Sequence, residues 1–251
     1  MSLLVLLTAV MPAALRVARE QLSQYQSGEA IATESGATVR SALPTSDQPC
    51  QQCDLVAADL SGQDHSRKNF REANMAGANL TRTQLINAVL HQANLTQATL
   101  QGANLQGADL SQAILTQADL SQAQMLHVSL VQADLTSASL TQAELRDAAL
   151  CSAQLQGADL SEASLYGTIL RQADLSNTDL RGADLRYADL YEANLTNANL
   201  TGARLEFATM PDGSTYNQGY IQPINPSQGC DPTAAANIAD QPRPQSPRQQ
   251  P

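Results

Sequence analysis

The sequence predicts an all-β solenoid, a short-sided coil wound repeatedly on itself, and three observations carry that expectation. From Leu55 to Met210 every fifth residue is apolar with one exception: the 32 positions hold 27 Leu, Met75, Met125, Met210, Phe70 and, as the exception, His65. The residue two before each is usually small, Ala at 25 of the 32 positions, and a residue that is usually polar separates the two, as in QGANL (101–105), QGADL (106–110) and RGADL (181–185). Aromatic residues are scarce, with two Phe, six Tyr and no Trp.

A period of five suits neither regular element. On an α-helix of 3.6 residues per turn the apolar positions would spiral round without forming a stripe. A half-buried strand alternates with a period of two. Short equal sides, each turning one large and one small side chain inward, account for the pattern, and such periodicity marks a solenoid. A conventional core needs more aromatic bulk, whereas a narrow Leu/Ala tube packs to interior density without it.

The A-(D/N)-L-x-x pattern resembles the pentapeptide-repeat family over about two thirds of the chain. The resemblance implies a right-handed, quadrilateral β-helix with four pentads per coil. On that plan the 32 pentads make about eight coils of 20 residues. A coil spacing of roughly 4.8 Å then gives a rod on the order of 38 Å long.

Ahead of the repeat, residues 1–18 carry an apolar run from Leu3 to Met11 followed by Pro12. Its length suits a signal-peptide core rather than a membrane span, which needs about 20 apolar residues. A hydrophobic helix start is the alternative. Residues 19–49 read as helix and linker. Leu15, Ala18, Leu22 and Tyr25 stand at helical spacing, so a helix here would cover the open end of the coil.

The solenoid itself spans 50–216. Extending the register backward places Cys50 at a large inward position and Cys53 at a small one. A C-x-x-C just before the first ADL-type pentad is also similar to the start of exported pentapeptide-repeat proteins. A Cys50–Cys53 disulfide, two buried thiols, and a zinc site with His65 all remain open. The second half of the first coil is irregular. Gln63 and Lys68 stand where Ala belongs, so either the coil widens there or the segment loops outward.

Along the regular part, the fourth segment of each coil carries the outward apolar residues Ile86, Val89, Leu126, Tyr166, Ile169, Tyr187 and Phe207. The other sides offer little beyond Val56, Ile114, Val131 and Tyr191. A contiguous apolar strip on a solenoid needs a partner or a cover, making this the candidate interaction side. Outward Asp residues read as solvated turn residues, and His91 and His127 as exposed and separate. Cys151 falls at an outward position, as a lone exposed thiol or as a second pair with Cys230. Pro211-Asp212-Gly213 ends the repeat by removing a ladder donor and making a turn. Residues 217–251, rich in Pro, Gln, Ser and Ala, read as largely disordered.

The sequence offers no catalytic constellation, metal cluster or glycine-rich phosphate loop. It is therefore expected to be no enzyme, with no cofactor and no small-molecule substrate. The expected function is a structural or protein-interaction module: a rigid acidic rod with one apolar side, binding a protein partner or itself. Net charge −10 argues against nucleic acid as the partner. No apolar run is long enough for a stable transmembrane span. Export to a periplasm or thylakoid lumen is expected, with the cytoplasm as the alternative. The resemblance also implies a second reading, a DNA mimic that binds a DNA-handling enzyme such as gyrase.

Overall fold

The computed structural model describes residues 50–216, so the readings made on 1–49 and 217–251 lie outside the described residues. Within 51–210 every five-residue side is built alike. Two turn residues precede three extended ones, and the middle extended residue pairs in parallel with the residue 20 positions on. These bridges run without a break from Asp54↔Asn74 to Asp189↔Thr209. Four sides therefore complete a coil. The first is centred on Asp54, Asn74 and their successors at 20-residue intervals, the second on Asp59 and Asn79, the third on Asp64 and Gln84. The fourth is centred on Asn69, Val89, Asp109, Ser129, Ala149, Ile169, Asp189 and Thr209.

The backbone hydrogen bonds explain why the motif has the residues it has. Leu55 N–H donates to Asn74 O (2.7 Å), Ala57 N–H to Ala76 O (2.9 Å), and Asn74 N–H back to Cys53 O (2.8 Å). Ala58 N–H closes the turn onto Leu55 O (3.0 Å). Four of a pentad's five amides are thus paired, and the first turn residue is left over. The Asp or Asn before it supplies the acceptor. Asp59 Oδ1 receives Ser61 N–H (3.1 Å), Asn79 Oδ1 receives Thr81 N–H (3.1 Å), and Asp174 Oδ1 receives Ser176 N–H (2.9 Å). The polar letter between Ala and Leu is therefore a turn cap, satisfying a donor that would otherwise be lost to the ladder.

The second turn residue is left-handed throughout. Its φ is positive at every fifth position from Gln52 to Phe207, and most of these residues are not glycine. One such residue at the third place of a four-residue turn is what a type II turn requires. β-Branched residues tolerate this conformation least. None of the left-handed positions carries Val, Ile or Thr, while Thr81, Thr96, Thr136 and Thr196 occupy the turn position just before.

Inside, the Leu columns and the Ala beside them are fully buried through the middle of the rod. Where Thr replaces Ala, its hydroxyl donates inward to a carbonyl: Thr83 to Leu60 O and Thr168 to Leu145 O, both at 2.8 Å. The irregular first coil does not loop outward, because the bridges Asp64↔Gln84 and Asn69↔Val89 continue through it. Lys68 is half-exposed there, and His65 is buried edge-on to Phe70, ring centroids 5.7 Å apart. No helix among the described residues is long and apolar enough to cross a membrane.

Candidate functional site: the apolar fourth side and its aromatic corner

Residues 20 apart stand directly above one another, so the turns leading into the fourth side form a corner column. Near the last coils that column is aromatic. Tyr166 packs against Tyr187 with ring centroids 5.2 Å apart and planes tilted by 52°. Tyr187 in turn stacks on Phe207 at 5.0 Å and 19°. Tyr187 is 41% exposed and Phe207 50%, so two aromatic residues meet solvent on a backbone fixed by the ladder. Arg186 lies over the Tyr166 ring at 5.4 Å, within reach of a cation–π contact. Its guanidinium is held by Asp184 through Nε (2.8 Å) and Nη2 (2.6 Å). The Asp184 carboxyl is lowered below its ordinary value, chiefly by the hydrogen bond from Arg186 against the opposing effect of burial.

A second relation organises the middle of this side. A first turn residue at position i touches the mid-side residue at i+18 on the next coil, as Ser111 and Ser129 show with hydroxyls 2.8 Å apart. Residues related by the same step, Val131 and Ala149, Cys151 and Ile169, belong to one apolar cluster, with Ile169 partly buried against the other three. One coil further on the step places Arg171 beside Asp189, Nε to Oδ2 at 2.6 Å, with the guanidinium 5.5 Å from the Tyr191 ring centroid.

Of the seven residues expected to form the interaction side, Tyr166, Tyr187 and Phe207 come together at the corner and Ile169 joins the mid-side cluster. Ile86, Val89 and Leu126 lie half-buried on earlier coils. The expectation of an exposed Cys151 is corrected: the residue is 1% exposed, buried in one cluster with Val131 and Ala149 against which Ile169 packs. Cys230 lies outside the described residues, and so does the Cys151–Cys230 pairing. Val131 and Cys151 were set apart from the fourth side by sequence; the i+18 step, written also in Ser111/Ser129, was the signal that would have joined them. His91 and His127 are half-buried rather than exposed.

At the other end Cys50 and Cys53 are joined at 2.07 Å across the first turn, where Cys53 N–H donates to Cys50 O (3.2 Å). Their sulfurs are engaged with each other, so the zinc arrangement with His65 has no thiolates to use. Among the described residues no group of three His, Cys, Asp or Glu is placed to hold a metal ion. The outward carboxylates are engaged structurally. Burial pushes Asp134 up, but hydrogen bonds from Thr136 and Thr116 outweigh it and leave the carboxyl lowered. Asp179 is lowered by its hydrogen bond from Arg181. Chemically, this surface offers ring faces, an apolar cluster and charge-paired edges: the means of binding.

The sequence profile described as pentapeptide repeats matches this chain in 8 copies, over residues 53–92, 93–130, 129–167, 158–197 and 178–211. No curated protein sequence matches significantly. Among solved structures the chain is similar to HetL, a pentapeptide repeat protein involved in heterocyst differentiation regulation from the cyanobacterium Nostoc sp. strain PCC 7120. That match is 29% identical over 79% of this chain and 98% of HetL, with a TM-score of 0.39. It is also similar to a pentapeptide repeat protein from the Arabidopsis thaliana thylakoid lumen, at 31% identity over 43% of this chain and 69% of the other, TM-score 0.23. QnrB1, a plasmid-mediated fluoroquinolone resistance protein, matches at 19% identity over 58% and 88%, TM-score 0.44.

Proposed function

Because this chain belongs to the pentapeptide-repeat family, whose fold is the right-handed quadrilateral β-helix, we propose that it is a non-catalytic interaction module. It presents a preformed acidic rod of about eight coils and binds a protein partner, or a second copy, along its fourth side. The observation that supports this most is the Tyr166–Tyr187–Phe207 column, in which Tyr187 and Phe207 are exposed on a backbone held by the ladder. Aromatic anchors on an ordered backbone lose little entropy on binding, which is where interface energy concentrates. A photo-crosslinking residue placed at Tyr187 in the native cell tests the reading, with one at Asp119 on the second side as control. A discrete adduct from position 187 alone, lost on Phe207→Ser, is expected. Equal adducts from both positions, or none from 187, would remove the fourth side from consideration.

The net charge of −10 favours the DNA-mimic reading. Against it, part of the acidic surface is neutralised locally: Arg146 pairs with Glu144, Arg181 with Asp179 and Arg186 with Asp184. An even row of carboxylates spaced like phosphates is thereby interrupted. Inhibition of purified gyrase by the protein, abolished by raised salt, would favour mimicry over the apolar side.

We assign the protein to an oxidising compartment, a periplasm or thylakoid lumen. The support is the Cys50–Cys53 bridge, since disulfides persist where thiols are not kept reduced. Intact mass of the native protein with and without reduction and thiol labelling decides it. A processed chain with Cys50 and Cys53 oxidised is expected; a full-length chain with both thiols reduced would place it in the cytoplasm.

A further inference from the structure

The aromatic corner also carries a carboxylate that the neighbouring arginines do not neutralise. Arg146 and Arg186 stand at first turn positions of this corner, and each is engaged by a carboxylate of the third side. Arg146 Nε donates to Glu144 Oε1 (2.6 Å), and Arg186 donates to Asp184 through Nε (2.8 Å) and Nη2 (2.6 Å). Asp147, the second turn residue beside Arg146, is left over: its carboxylate makes no ion pair or hydrogen bond with any of the described residues.

A glycine one coil on sets where that carboxylate lies. Gly167 follows Asp147 in the corner column and is left-handed at φ 68°. A Cβ there would stand 2.5 Å from Asp147 Oδ1, so the carboxylate occupies the space that a side chain at 167 would need. Asp147 therefore reaches toward the aromatic end of the column, to the level of Gly167. Tyr187 is the next residue of that column, about one spacing of 4.8 Å further on. Tyr187 is exposed, and Asp147 and Gly167 are half-buried.

A carboxylate and an aromatic ring about one coil apart suit one kind of cation. A guanidinium is planar, so it stacks on a ring while its N–H groups donate to a carboxylate; an ammonium is a compact, strongly hydrated point charge. The chain makes this arrangement twice from its own residues. Arg186 is held by Asp184 with its guanidinium 5.4 Å from the Tyr166 centroid, and Arg171 by Asp189 at 5.5 Å from that of Tyr191. Asp147 and Tyr187 supply the acid and the ring a third time, with no arginine of the described residues between them. The net charge of −10 further favours a cationic visitor.

We propose that the notch at Gly167 takes an arginine side chain of the protein partner, its guanidinium stacked on Tyr187 and hydrogen-bonded to Asp147. This rests on the functional reading above and deepens it by naming the anchor that the partner supplies.

The test is a nuclear magnetic resonance titration of the full purified chain with blocked Gly-Arg-Gly, Gly-Lys-Gly and Gly-citrulline-Gly peptides. The arginine peptide shifts the Gly167 amide and the Tyr187 ring saturably, the lysine peptide binds about threefold more weakly or worse, and the neutral citrulline peptide does not bind. Asp147→Asn weakens arginine binding about threefold or more, while Asp119→Asn, the same charge change on the second side, leaves it unchanged. Asparagine fits at 147, because Asn87 already stands against Gly107 in the same relation. Three results overturn the proposal: no saturable shift at Gly167 and Tyr187, equal binding of the arginine and lysine peptides, or equal weakening by the two variants. Crosslinking at position 187 reports separately on the functional reading. An adduct in cells beside a failed titration would keep the interaction side and remove the arginine anchor. A saturable titration without an adduct would overturn the functional reading and leave the cation site standing.

Discussion

The ring of Phe207 stacks on that of Tyr187 at 5.0 Å although both residues hold left-handed backbone, φ 65° and 59°. The contact is a direct product of the coil period. Twenty residues return the chain to the same corner one strand spacing higher, about 4.8 Å, which is close to the separation at which aromatic rings pack. Stacked pairs contribute about 0.5–1.5 kcal/mol beyond the area they cover. A double-mutant cycle of Tyr187→Ala and Phe207→Ala is expected to show a coupling of about 0.5–1 kcal/mol in chemical denaturation. A coupling near zero would mean that the two rings stand at the corner independently.

Left-handed backbone at every second turn position sets a rule that a single site can test. Ser137 is left-handed at φ 56°. Ser137→Val should destabilise by about 1–2 kcal/mol, because its branched Cβ crowds the following carbonyl, while Ser137→Gly should be neutral or slightly stabilising. Denaturant midpoints for the two variants check it. Equal effects would show that the turn relaxes out of the left-handed region.

This rule also shows what the sequence made legible. The five-residue period identified the coil because one large and one small inward residue recur without slippage along most of its length. Asp and Asn looked like solvated turn residues because their side chains do point outward. Their actual task, accepting the amide two residues on, is invisible until the ladder shows which amide is left over. The corner pair Tyr187–Phe207 was within reach of a 20-residue comparison, while Tyr166–Tyr187, 21 residues apart, joins a first turn position to a second. The Val131/Ala149/Cys151/Ile169 cluster was missed because it joins first turn positions to mid-side positions 18 residues on, as well as residues 20 apart. Cys151 looked exposed for the same reason: outward from the tube was equated with outward to water.

Asn79 tests the role of the cap and of the ladder between coils together. Its Oδ1 accepts from Thr81 N–H (3.1 Å) and Thr81 Oγ1 (2.7 Å), and its Nδ2 donates to Asp59 Oδ1 (3.1 Å). Asn79→Ala loses all three and is expected to cost about 1–2 kcal/mol. Asn79→Asp keeps the acceptor but sets a second carboxylate against Asp59. It should cost about 1 kcal/mol at neutral pH and recover as pH falls towards about 4, when one of the two takes a proton and donates. Thermal melts of both variants across pH separate the terms. A cost for Asn79→Asp that does not diminish in acid would rule out repulsion as its origin.

His65 gives the chain a pH dependence of the opposite kind. It occupies a Leu position, is 4% exposed, and neither ring nitrogen has a hydrogen-bond partner among the described residues. Burial, reinforced by the nearby Lys68 charge and opposed by Asp64, depresses its pKa below the ordinary 6.5. In the unfolded chain the imidazole takes a proton near pH 6.5, while the folded one stays neutral to lower pH. The unfolded state then binds more protons, so stability falls as pH drops below about 6.5 and levels off only below the depressed value. His65→Leu should abolish that slope. It should also raise stability at about pH 7 by about 1 kcal/mol or more, since an apolar side chain replaces two unsatisfied buried nitrogens. Urea titrations of both proteins between about pH 5 and 7.5 measure it. Parallel pH profiles for the two would show that the histidine reaches water in the folded protein and that the acid sensitivity arises elsewhere.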